Sequence, residues 1–482
     1  MTRLFSLLAL ALSAAAAGGE RPNVLFLFAD DLAFDAVLPG EHDGVDTPHL
    51  DRLAERGVVF TRAYNPGSWT GAVCVPSRTM LNTGRFLWDA HEIHEGDRSG
   101  FQEKNLWSNR LRRAGYHTFF AGKWHLPFDP HEAFDTVGTV RPGMPPTVES
   151  AYNRPPAEGP DPWRSDDRSL GGFWQGGRHW SEVLADEAVE YLGGAARRER
   201  PFFLQVAFNA PHDPRQAPTE CLERYPLDRV ATPEPFAAEY PYNEAIGCGR
   251  THRDERLGPF PRTEHAVRVH RREYHALITH TDEQVGRVLE ALVHSGEADD
   301  TWVVFTADHG LAVGRHGLMG KQNLYDHSVR VPLIVVGPGV PAGERRDQPV
   351  YLQSVNPTTL ELAGAPALPG DAFPSLLPLV GDPDRRSEHE AIYGAYRELQ
   401  RSVTRDGWKL IAYPAVPTVR LYHVAEDPRE TRDLADEPEQ SDRVRSLFAV
   451  LLRLQARYDD PAPLAEAFPD LAPAGGAPSV RR

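Results

Sequence analysis

Six short apolar segments that alternate with helical patterns constrain the fold more than any other feature of this sequence. They are rich in Val, Ile and Phe, which is typical of strands buried on both faces of a sheet. Strands that alternate with helices favour an α/β fold, a mostly parallel central sheet with helices on both faces. The segments are Asn23–Ala29, Val58–Ala63, Thr118–Ala121, Phe202–Phe208, Thr301–Ala307 and Val331–Val336.

Three stretches between these strands have helical patterns with capping residues or apolar spacing. The expected helices run from Thr47-Pro48 to Gly57, from an Asn105 cap to Gly115, and from about Arg271 to Leu292. Residues 139–182 and 213–262 are rich in Pro, Gly, Arg and Trp and show little periodicity. Loops of this length inside a compact domain are usually functional, so we expect them to wall the substrate pocket.

The sequence changes character after about residue 385. Short strand-like runs precede a helical segment: Ala391–Tyr396, Lys409–Tyr413, Arg420–Val424 and Glu439–Arg457. This order predicts a catalytic α/β domain over residues 18–385 and a small C-terminal α+β subdomain over residues 386–470. The Pro-, Ala- and Gly-rich tail, residues 471–482, is expected to fray.

The N-terminus has the pattern of an export signal. Arg3 is followed by an apolar run, Leu4–Leu12, and a small-residue cleavage zone, Ser13–Ala17. The apolar run is shorter than the roughly 20 residues that a membrane span needs. We therefore expect residues 1–17 to be a cleaved signal peptide. The mature protein is expected to be periplasmic or secreted, with no membrane span.

Composition limits the classes of partner. Hydrophobic residues make up 41% of the chain and charged residues 25%, which allows a large buried core. The net charge of −16 argues against nucleic acid, because phosphate binding needs a basic face. Three cysteines, Cys74, Cys221 and Cys248, are too few for a disulfide scaffold, and their odd number leaves one thiol that needs a separate role.

Ionisable residues follow the carboxyl ends of four predicted strands, which is where open α/β sheets bind ligands. Their arrangement predicts a single site. The aspartates offer hard oxygen ligands that select Ca²⁺ or Mg²⁺, although each alone is as typical of a turn or a helix cap. The residues are Asp30 and Asp31, then Lys123 and His125, then His212, and then Asp308 and His309.

Lysines and histidines in these segments have chemistry that suits an anionic substrate. Lys123 and Lys321 are candidates for holding anionic oxygens. His125 and His212 can move protons near neutral pH. Taken singly, each lysine is more typical of a solvated surface charge, and a lone histidine such as His309 is more typical of a structural role.

The most specific motif is Cys74-Val75-Pro76-Ser77-Arg78, which continues to Thr83-Gly84-Arg85. Pro76 in the first turn and Gly84 at the end bracket a short helix, which places Cys74 at a positive N-terminus that stabilises an anion. From these residues alone, a buried structural cysteine remains the alternative.

The C-x-P-S-R motif with its T-G-R end resembles that of the type I sulfatases, members of the alkaline phosphatase-like superfamily in which the cysteine is oxidised to formylglycine. The resemblance covers roughly residues 22 to 440. Asn82 departs from the family pattern, which usually has leucine there, and His309 occupies a metal position that is Asn in some relatives. Further similar segments are Asn23–Asp31, Gly122–His125, Ala210–His212, Ala307–Gly310, Gly320–Asn323, Tyr325–Pro332 and Leu421–Thr431.

The resemblance implies a sulfuric ester hydrolase that uses a divalent cation, Ca²⁺ or Mg²⁺. Hydrated formylglycine at position 74 would place one hydroxyl oxygen on the metal and attack sulfur with it, and Arg78 would steady the diol. The remaining metal ligands would be Asp30, Asp31, Asp308 and His309.

The resemblance also implies roles for the other residues of the site. Lys123 and Lys321 would neutralise the sulfate oxygens. His212 would protonate the leaving alcohol, and His125 would deprotonate the second hydroxyl to expel sulfate. A formylglycine-generating enzyme would be a partner. Modification of Cys74 leaves two cysteines, Cys221 and Cys248. Because an exported protein meets an oxidising environment, we expect a disulfide between them.

The insertions suggest a sulfated carbohydrate as substrate. Aromatic faces stack on sugar rings, and guanidinium groups hold sulfates bidentately. The alternative is that the tryptophans pack the loops onto the core. The residues concerned are Trp163, Trp174, Trp180, Arg164, Arg178 and Arg215.

Two other functions fit parts of the pattern. A phosphate mono- or diester hydrolase of the same superfamily would use the same metal and cations, but the long C-x-P-S-R motif favours sulfate. A non-catalytic binder of sulfated polysaccharide would leave Cys74 unmodified. The complete set of acid, base and metal residues argues against such a loss of activity.

Overall fold

An eight-stranded sheet forms the centre of the protein. The computed structural model describes residues 21–37, 44–96, 101–195 and 199–472. The expected signal peptide, residues 1–17, lies outside the described residues, and so does the tail from residue 473 onward.

The elements are numbered along the chain. The strands are β1 (Asn23–Ala29), β2 (Val58–Phe60), β3 (Ala63–Tyr64), β4 (Gly67–Ser68), β5 (His117–Lys123), β6 (Thr136–Arg141), β7 (Phe202–Ala207), β8 (Thr301–Ala307), β9 (Arg330–Val331), β10 (Leu333–Val336), β11 (Glu344–Arg346), β12 (Val350–Tyr351), β13 (Ile392–Tyr396), β14 (Gln400–Arg405), β15 (Trp408–Tyr413) and β16 (Thr418–Tyr422). The helices are α1 (Pro48–Glu55), α2 (Cys74–Thr83), α3 (Leu87–Glu95), α4 (Trp107–Arg113), α5 (Pro130–Ala133), α6 (Trp180–Gly193), α7 (Thr219–Glu223), α8 (Glu264–His294), α9 (Asp326–Val329), α10 (Val355–Leu362), α11 (Leu377–Gly381), α12 (Ser441–Arg457) and α13 (Leu464–Ala467).

The central sheet has the strand order β11-β2-β10-β8-β1-β7-β5-β6. β1 pairs in parallel with β7 and β8, and β5 pairs in parallel with β6 and β7. β10 runs antiparallel to β2 and β8. Every residue of β1, β7 and β8 is buried, which is why these strands are continuous apolar runs. The predicted α/β fold with a mostly parallel sheet is confirmed.

Helices cover the sheet in two packed groups. In one, the long helix α8 contacts α1, α6 and α7, and in the other α2 contacts α3, α4 and α10. α8 is longer than the predicted segment, because Thr263 Oγ1 accepts a hydrogen bond from Ala266 N and so begins the helix earlier. The sequence predicted that Asn105 caps α4, and this prediction is wrong. Asn105 lies in a 3-10 turn, and α4 begins at Trp107. Among the described residues, no helix is both long and apolar enough to cross a membrane.

Two predicted strands are each divided in the structure. Val331–Val336 is interrupted at Pro332, which has no N–H to donate to a ladder, so that β9 and β10 belong to different sheets. Val58–Ala63 is divided between β2 in the central sheet and β3 in a three-stranded sheet with the order β12-β3-β9.

A second sheet, with the order β16-β15-β14-β13-β4, forms the C-terminal subdomain together with α12, which packs against it. β14 was not predicted, because its sequence QRSVTR has no apolar run. The edge strand β4 comes from the segment just before Cys74 and pairs in parallel with β13. Gly67 is needed here, since a Cβ atom would collide with the backbone oxygen of Ala395. The C-terminal sheet is therefore tied to the entry of α2.

The predicted disulfide between Cys221 and Cys248 is wrong, because both side chains are buried free thiols in different apolar clusters. Cys221 Sγ lies 3.9 Å from Glu283 Oε2, and Cys248 Sγ donates to the backbone oxygen of Gln322 at 3.2 Å. An even number of remaining cysteines does not bring two sulfurs together, since a disulfide requires close and correctly oriented Cβ atoms.

Candidate active site

The predicted site residues meet at one edge of the central sheet. The strands β8, β1, β7 and β5 are adjacent, and because they are parallel their carboxyl ends point to the same side. Asp30 N donates to the backbone oxygen of Ala210, and Asp308 N donates to that of Ala29, so the chain segments beyond these strands stay in contact.

Cys74 occupies the first position of α2, as the motif predicted. The helix ends at Gly84, which has a φ of 71° in the left-handed region. Ser77 Oγ donates to the backbone oxygen of Asp308 at 2.8 Å and fastens the first turn of α2 to the end of β8. Cys74 is 2% exposed, and its sulfur lies 3.3 Å from His309 Nε2.

Several cationic side chains lie close to the Cys74 sulfur. Lys321 Nζ lies 3.6 Å from the Cys74 sulfur, and His125 is hydrogen-bonded to Cys74. Burial alone would raise the pKa of the Cys74 thiol, but Lys123, Lys321 and His309 together hold that pKa well below its usual value. The position therefore stabilises a negatively charged side chain, which agrees with its place at a helix N-terminus.

Four buried side chains next to Cys74 form a candidate metal centre. Asp30, Asp31, Cys74 and His309 each offer a ligand atom, and these atoms all lie within 4.8 Å of one another. Asp30 Oδ1 is buried and has no hydrogen-bond partner among the described residues. Burial, Asp308 and Cys74 raise the pKa of Asp30 well above its usual value. A bound cation would offset this repulsion, so the residues fit a divalent metal with oxygen ligands.

Asp308 lies beside this group of four. Its Oδ1 is 3.5 Å from His309 Nε2 and accepts a hydrogen bond from Asp31 N at 3.2 Å. Its Oδ2 accepts a hydrogen bond from Arg78 Nε at 3.1 Å. Burial opposes ionisation, but His309 and Arg78 lower the pKa of Asp308 to about 2. Asp308 is therefore a carboxylate that connects Arg78 to the candidate metal ligands.

Three buried cations balance the three carboxylates of the site. Lys123 Nζ forms an ion pair with Asp30. Lys321 Nζ lies 2.6 and 2.8 Å from the two oxygens of Asp31. Arg78 donates from Nη1 to the backbone oxygen of Lys123 at 2.8 Å. Each ammonium thus lies next to a candidate metal ligand.

Two histidines flank the cluster from β5 and β7. His125 is half-buried and has a φ of 58°, and its Nδ1 has no hydrogen-bond partner within the described part of the chain. His212 is buried, with Nε2 lying 3.8 Å from Asp31 Oδ2. The structure therefore brings together every residue that the sequence proposed for catalysis or metal binding.

A charged tripeptide that the sequence did not single out supports this site. Glu255 accepts hydrogen bonds from the backbone N–H groups of Met319 and Gly320 at 3.0 and 2.9 Å. Asp254 Oδ2 accepts from Gln322 Nε2 at 2.7 Å. These contacts hold the backbone just before Lys321 and the side chain just after it. The residues lie in the aperiodic insertion 213–262, where the run Arg253-Asp254-Glu255 was the one available signal.

The tryptophans of the insertions do not form an exposed sugar-binding surface. Trp163, Trp174 and Trp180 are 3%, 4% and 2% exposed. Guanidinium groups cover their rings, with Arg154 over Trp163 and Arg141 over Trp180, each at 4.4 Å from the ring centroid. The packing alternative is therefore correct for these residues.

The arginines of the insertions differ in exposure. Arg164 and Arg178 pair with Asp166 and Asp186 at the surface, whereas Arg215 is buried against His270. None of these contacts identifies a sugar.

Comparison with known proteins agrees with this geometry. Residues 22–365 match the family described as Sulfatase, and residues 314–457 match the family described as N-sulphoglucosamine sulphohydrolase, C-terminal. Because the first match covers most of the chain, the protein belongs to the sulfatase family. It is a hydrolase of sulfate esters.

Individual relatives are named for different activities. The chain is 29% identical to a choline-sulfatase of Rhizobium meliloti over 87% of this chain and 83% of that protein. It is 24% identical to an N-acetylglucosamine-6-O-sulfatase of Bacteroides thetaiotaomicron over 92% of this chain and 88% of that protein. The solved structure of a phosphonate monoester hydrolase from Silicibacter pomeroyi has the same fold, with a TM-score of 0.71, 21% identity and coverage of 91% and 96% of the two chains.

Proposed function

We propose that this sulfatase acts through formylglycine formed from Cys74, next to a divalent cation bound by Asp30, Asp31, Asp308 and His309. The observation that carries the proposal is the position of Cys74. Its buried side chain begins α2 and touches His309, Lys321 and His125 at once. A bound Ca²⁺ or Mg²⁺ would act as a Lewis acid toward sulfate oxygens. The hydrated aldehyde would supply two hydroxyl groups on one carbon, one to attack sulfur and one to expel sulfate.

The surrounding residues have separable roles in this proposal. Lys123 and Lys321 hold the anionic oxygens of the sulfate group, and their buried ammonium groups are already fixed before the substrate arrives. Arg78 steadies the residue-74 side chain and keeps the Asp308 carboxylate in place. His212 Nε2 donates a proton to the leaving oxygen. His125, hydrogen-bonded to residue 74, accepts the proton that is lost when sulfate is released.

We further propose that residues 1–17 direct export, that a formylglycine-generating enzyme modifies Cys74, and that the mature protein is periplasmic or secreted. The catalytic domain would span residues 18–385 and the C-terminal subdomain residues 386–470, with a tail from residue 471 onward.

A sulfated carbohydrate is the substrate that we favour, supported by the relative named as an N-acetylglucosamine-6-O-sulfatase. The relative named as a choline-sulfatase makes a small alkyl sulfate the second candidate. A panel of sulfated mono- and oligosaccharides, choline sulfate and an aryl sulfate decides between them through kcat/KM. The Asp31→Ala variant serves as the inactive control. Preference for choline or aryl sulfate over every glycan would contradict the carbohydrate proposal.

Phosphoester hydrolysis is the alternative reaction, because a phosphonate monoester hydrolase shares the fold. Matched 4-nitrophenyl sulfate and phosphate esters test it directly. We expect the sulfate ester to have the larger kcat/KM, and the reverse order would favour the alternative.

A non-catalytic binder of sulfated polysaccharide is the other alternative. The proximity of the acid, base and metal-binding residues argues against it. Binding without turnover of any sulfate ester would favour it.

A further inference from the structure

Asp213 is a buried carboxylate in contact with His212 that the reaction above leaves without a role. His212 Nδ1 lies 2.8 Å from the backbone oxygen of Asp213 and 3.2 Å from its Oδ1. Oxygen atoms of this kind accept hydrogen bonds, so Nδ1 carries a proton and donates a hydrogen bond to residue 213. The opposite nitrogen, Nε2, consequently faces Asp31 and the Cys74 cluster.

Arg253 holds the Asp213 carboxylate from the other side. Its Nη1 lies 2.5 Å from Asp213 Oδ2, and its Nη2 lies 3.1 Å from Asp213 Oδ1. Two parallel contacts of this kind fix the plane of a carboxylate as well as its position. Asp213 is 3% exposed, so bulk water does not compete for these hydrogen bonds.

Asp213 also remains negatively charged in this environment. Burial would raise its pKa, but Arg253 and His212 hold the pKa of Asp213 far below its usual value. The carboxylate therefore stays ionised and keeps accepting the Nδ1–H bond. Arg253 also contacts Asp254 Oδ1 at 2.5 Å, which links the histidine to the loop that carries Lys321.

We propose that Asp213, fixed by Arg253, is a positioning residue that orients His212 as the proton donor to the leaving group. This rests on the proposed function of His212 and adds the residues that make it work. A carboxylate that binds Nδ1 of a histidine fixes the direction in which Nε2 points. The proton donor is then already oriented toward the leaving oxygen when the substrate binds. The competing explanation is that the Asp213–Arg253 ion pair merely fastens the insertion 213–262 to the core.

The dependence of the rate on the leaving group separates these explanations. Proton donation matters most when the leaving oxygen is strongly basic and least when it is weakly basic. A series of aryl sulfates from 4-nitrophenyl to 4-methoxyphenyl sulfate is measured as kcat/KM. For Asp213→Asn we expect a loss of about 10- to 100-fold for the poorest leaving group and less than about 3-fold for 4-nitrophenyl sulfate. An equal loss across the series would overturn the proposal, and so would no loss.

Asp161→Asn is the matched control. Asp161 also forms a two-point pair with a buried arginine, with its Oδ1 3.0 Å from Arg154 Nε and its Oδ2 2.6 Å from Arg154 Nη2, and it lies in the other insertion. This variant should keep the wild-type dependence on the leaving group. Should it show the dependence of Asp213→Asn, the effect would come from loosened insertions.

Two further variants keep the result interpretable. The double variant Asp213→Asn/Arg253→Met removes both members of the ion pair and serves if the single variant folds poorly. It should show the same selective loss, and a wild-type dependence of kcat/KM on the leaving group would overturn the proposal.

His212→Ala should make the dependence of kcat/KM on the leaving group steeper than Asp213→Asn does. If His212→Ala has no such effect, or if the wild type cleaves no sulfate ester, the proposed function itself fails. If only the Asp213 variants lack the effect, the positioning role alone fails.

Discussion

Lys321 and Asp31 form a buried ion pair in which the ammonium lies 2.6 and 2.8 Å from the two carboxylate oxygens. The same ammonium lies 3.6 Å from the sulfur of Cys74. One cation therefore contacts both a candidate metal ligand and the proposed reacting position. In a buried site neither group can rely on water for stabilisation, so this lysine is central to the electrostatics of both.

We expect Lys321→Met to lower kcat/KM by about 100- to 1,000-fold, because an anion-stabilising cation is lost from a dry site. Lys409→Met is the matched control. Lys409 is another buried lysine, with Nζ 2.7 Å from Asp326 Oδ1 and 2.9 Å from Glu430 Oε1, but it pairs outside the active site. It should lower the free energy of unfolding by about 3–5 kcal/mol and leave turnover per folded molecule nearly unchanged. Near wild-type activity of Lys321→Met would contradict the role assigned to Lys321.

Position 74 should carry an aldehyde or its hydrate in active enzyme. Trypsin releases this position in the peptide Ala63–Arg78, whose mass distinguishes the aldehyde from a thiol. Cys221 and Cys248 provide an internal control, since both should remain thiols in the same sample. Fully active protein with thiol alone at position 74 would refute the proposed chemistry.

Cys74→Ser should separate the attack on sulfur from the release of sulfate. The serine side chain has one hydroxyl, which can attack while Lys123 and Lys321 remain in place. No second hydroxyl is then available for His125 to deprotonate, so the fast release step is lost. We expect at most one alcohol per active site, followed by a stall, in a burst assay. Asp31→Ala should lack even this burst. Steady turnover by Cys74→Ser at a near wild-type rate would instead favour a serine-type phosphoesterase mechanism.

The position of the site could be predicted because it follows from sheet geometry. Asp30, Lys123, His212 and Asp308 belong to different segments, yet each follows an apolar run that is recognisable without an alignment. Parallel pairing brings the ends of such runs to one edge. The predicted bounds of β1 and β8 agree with the structure. Both strands are buried along their whole length, so each is a continuous apolar run whose ends are visible in the sequence.

Contacts within the insertions could not be predicted. Arg253 and Asp213 are 40 residues apart and belong to a segment without periodicity, so nothing in the sequence indicates that they meet. The expectation for Cys221 and Cys248 failed because it counted cysteines without knowing where each packs. The expectation for Trp163 failed because a large aromatic ring is as suitable for packing under an arginine as for binding a sugar.

Asp282 should make the stability of the enzyme depend on pH. Its carboxylate accepts hydrogen bonds from His49 N and Leu50 N at the start of α1, at 3.1 and 2.8 Å. Burial outweighs these bonds and raises the pKa of Asp282 from 3.8 to about 7. The folded protein then keeps a proton that the unfolded chain has already released, so this contribution to stability is complete below pH 3.8 and is lost as the pH rises through about 7.

Asp282→Asn has no titrating group at this position. Comparison with the wild type therefore isolates the contribution of Asp282 to the pH dependence of the free energy of unfolding. The free energy of unfolding of the wild type, minus that of Asp282→Asn, should fall by up to about 1.4 kcal/mol per pH unit between pH 5 and 7. Above the pKa of about 7 it should become constant. Urea unfolding of both proteins at pH 5, 6, 7 and 8 measures this difference, and all other titrating groups cancel in the comparison. A difference that does not change with pH would mean that Asp282 is already ionised in the folded protein at pH 5.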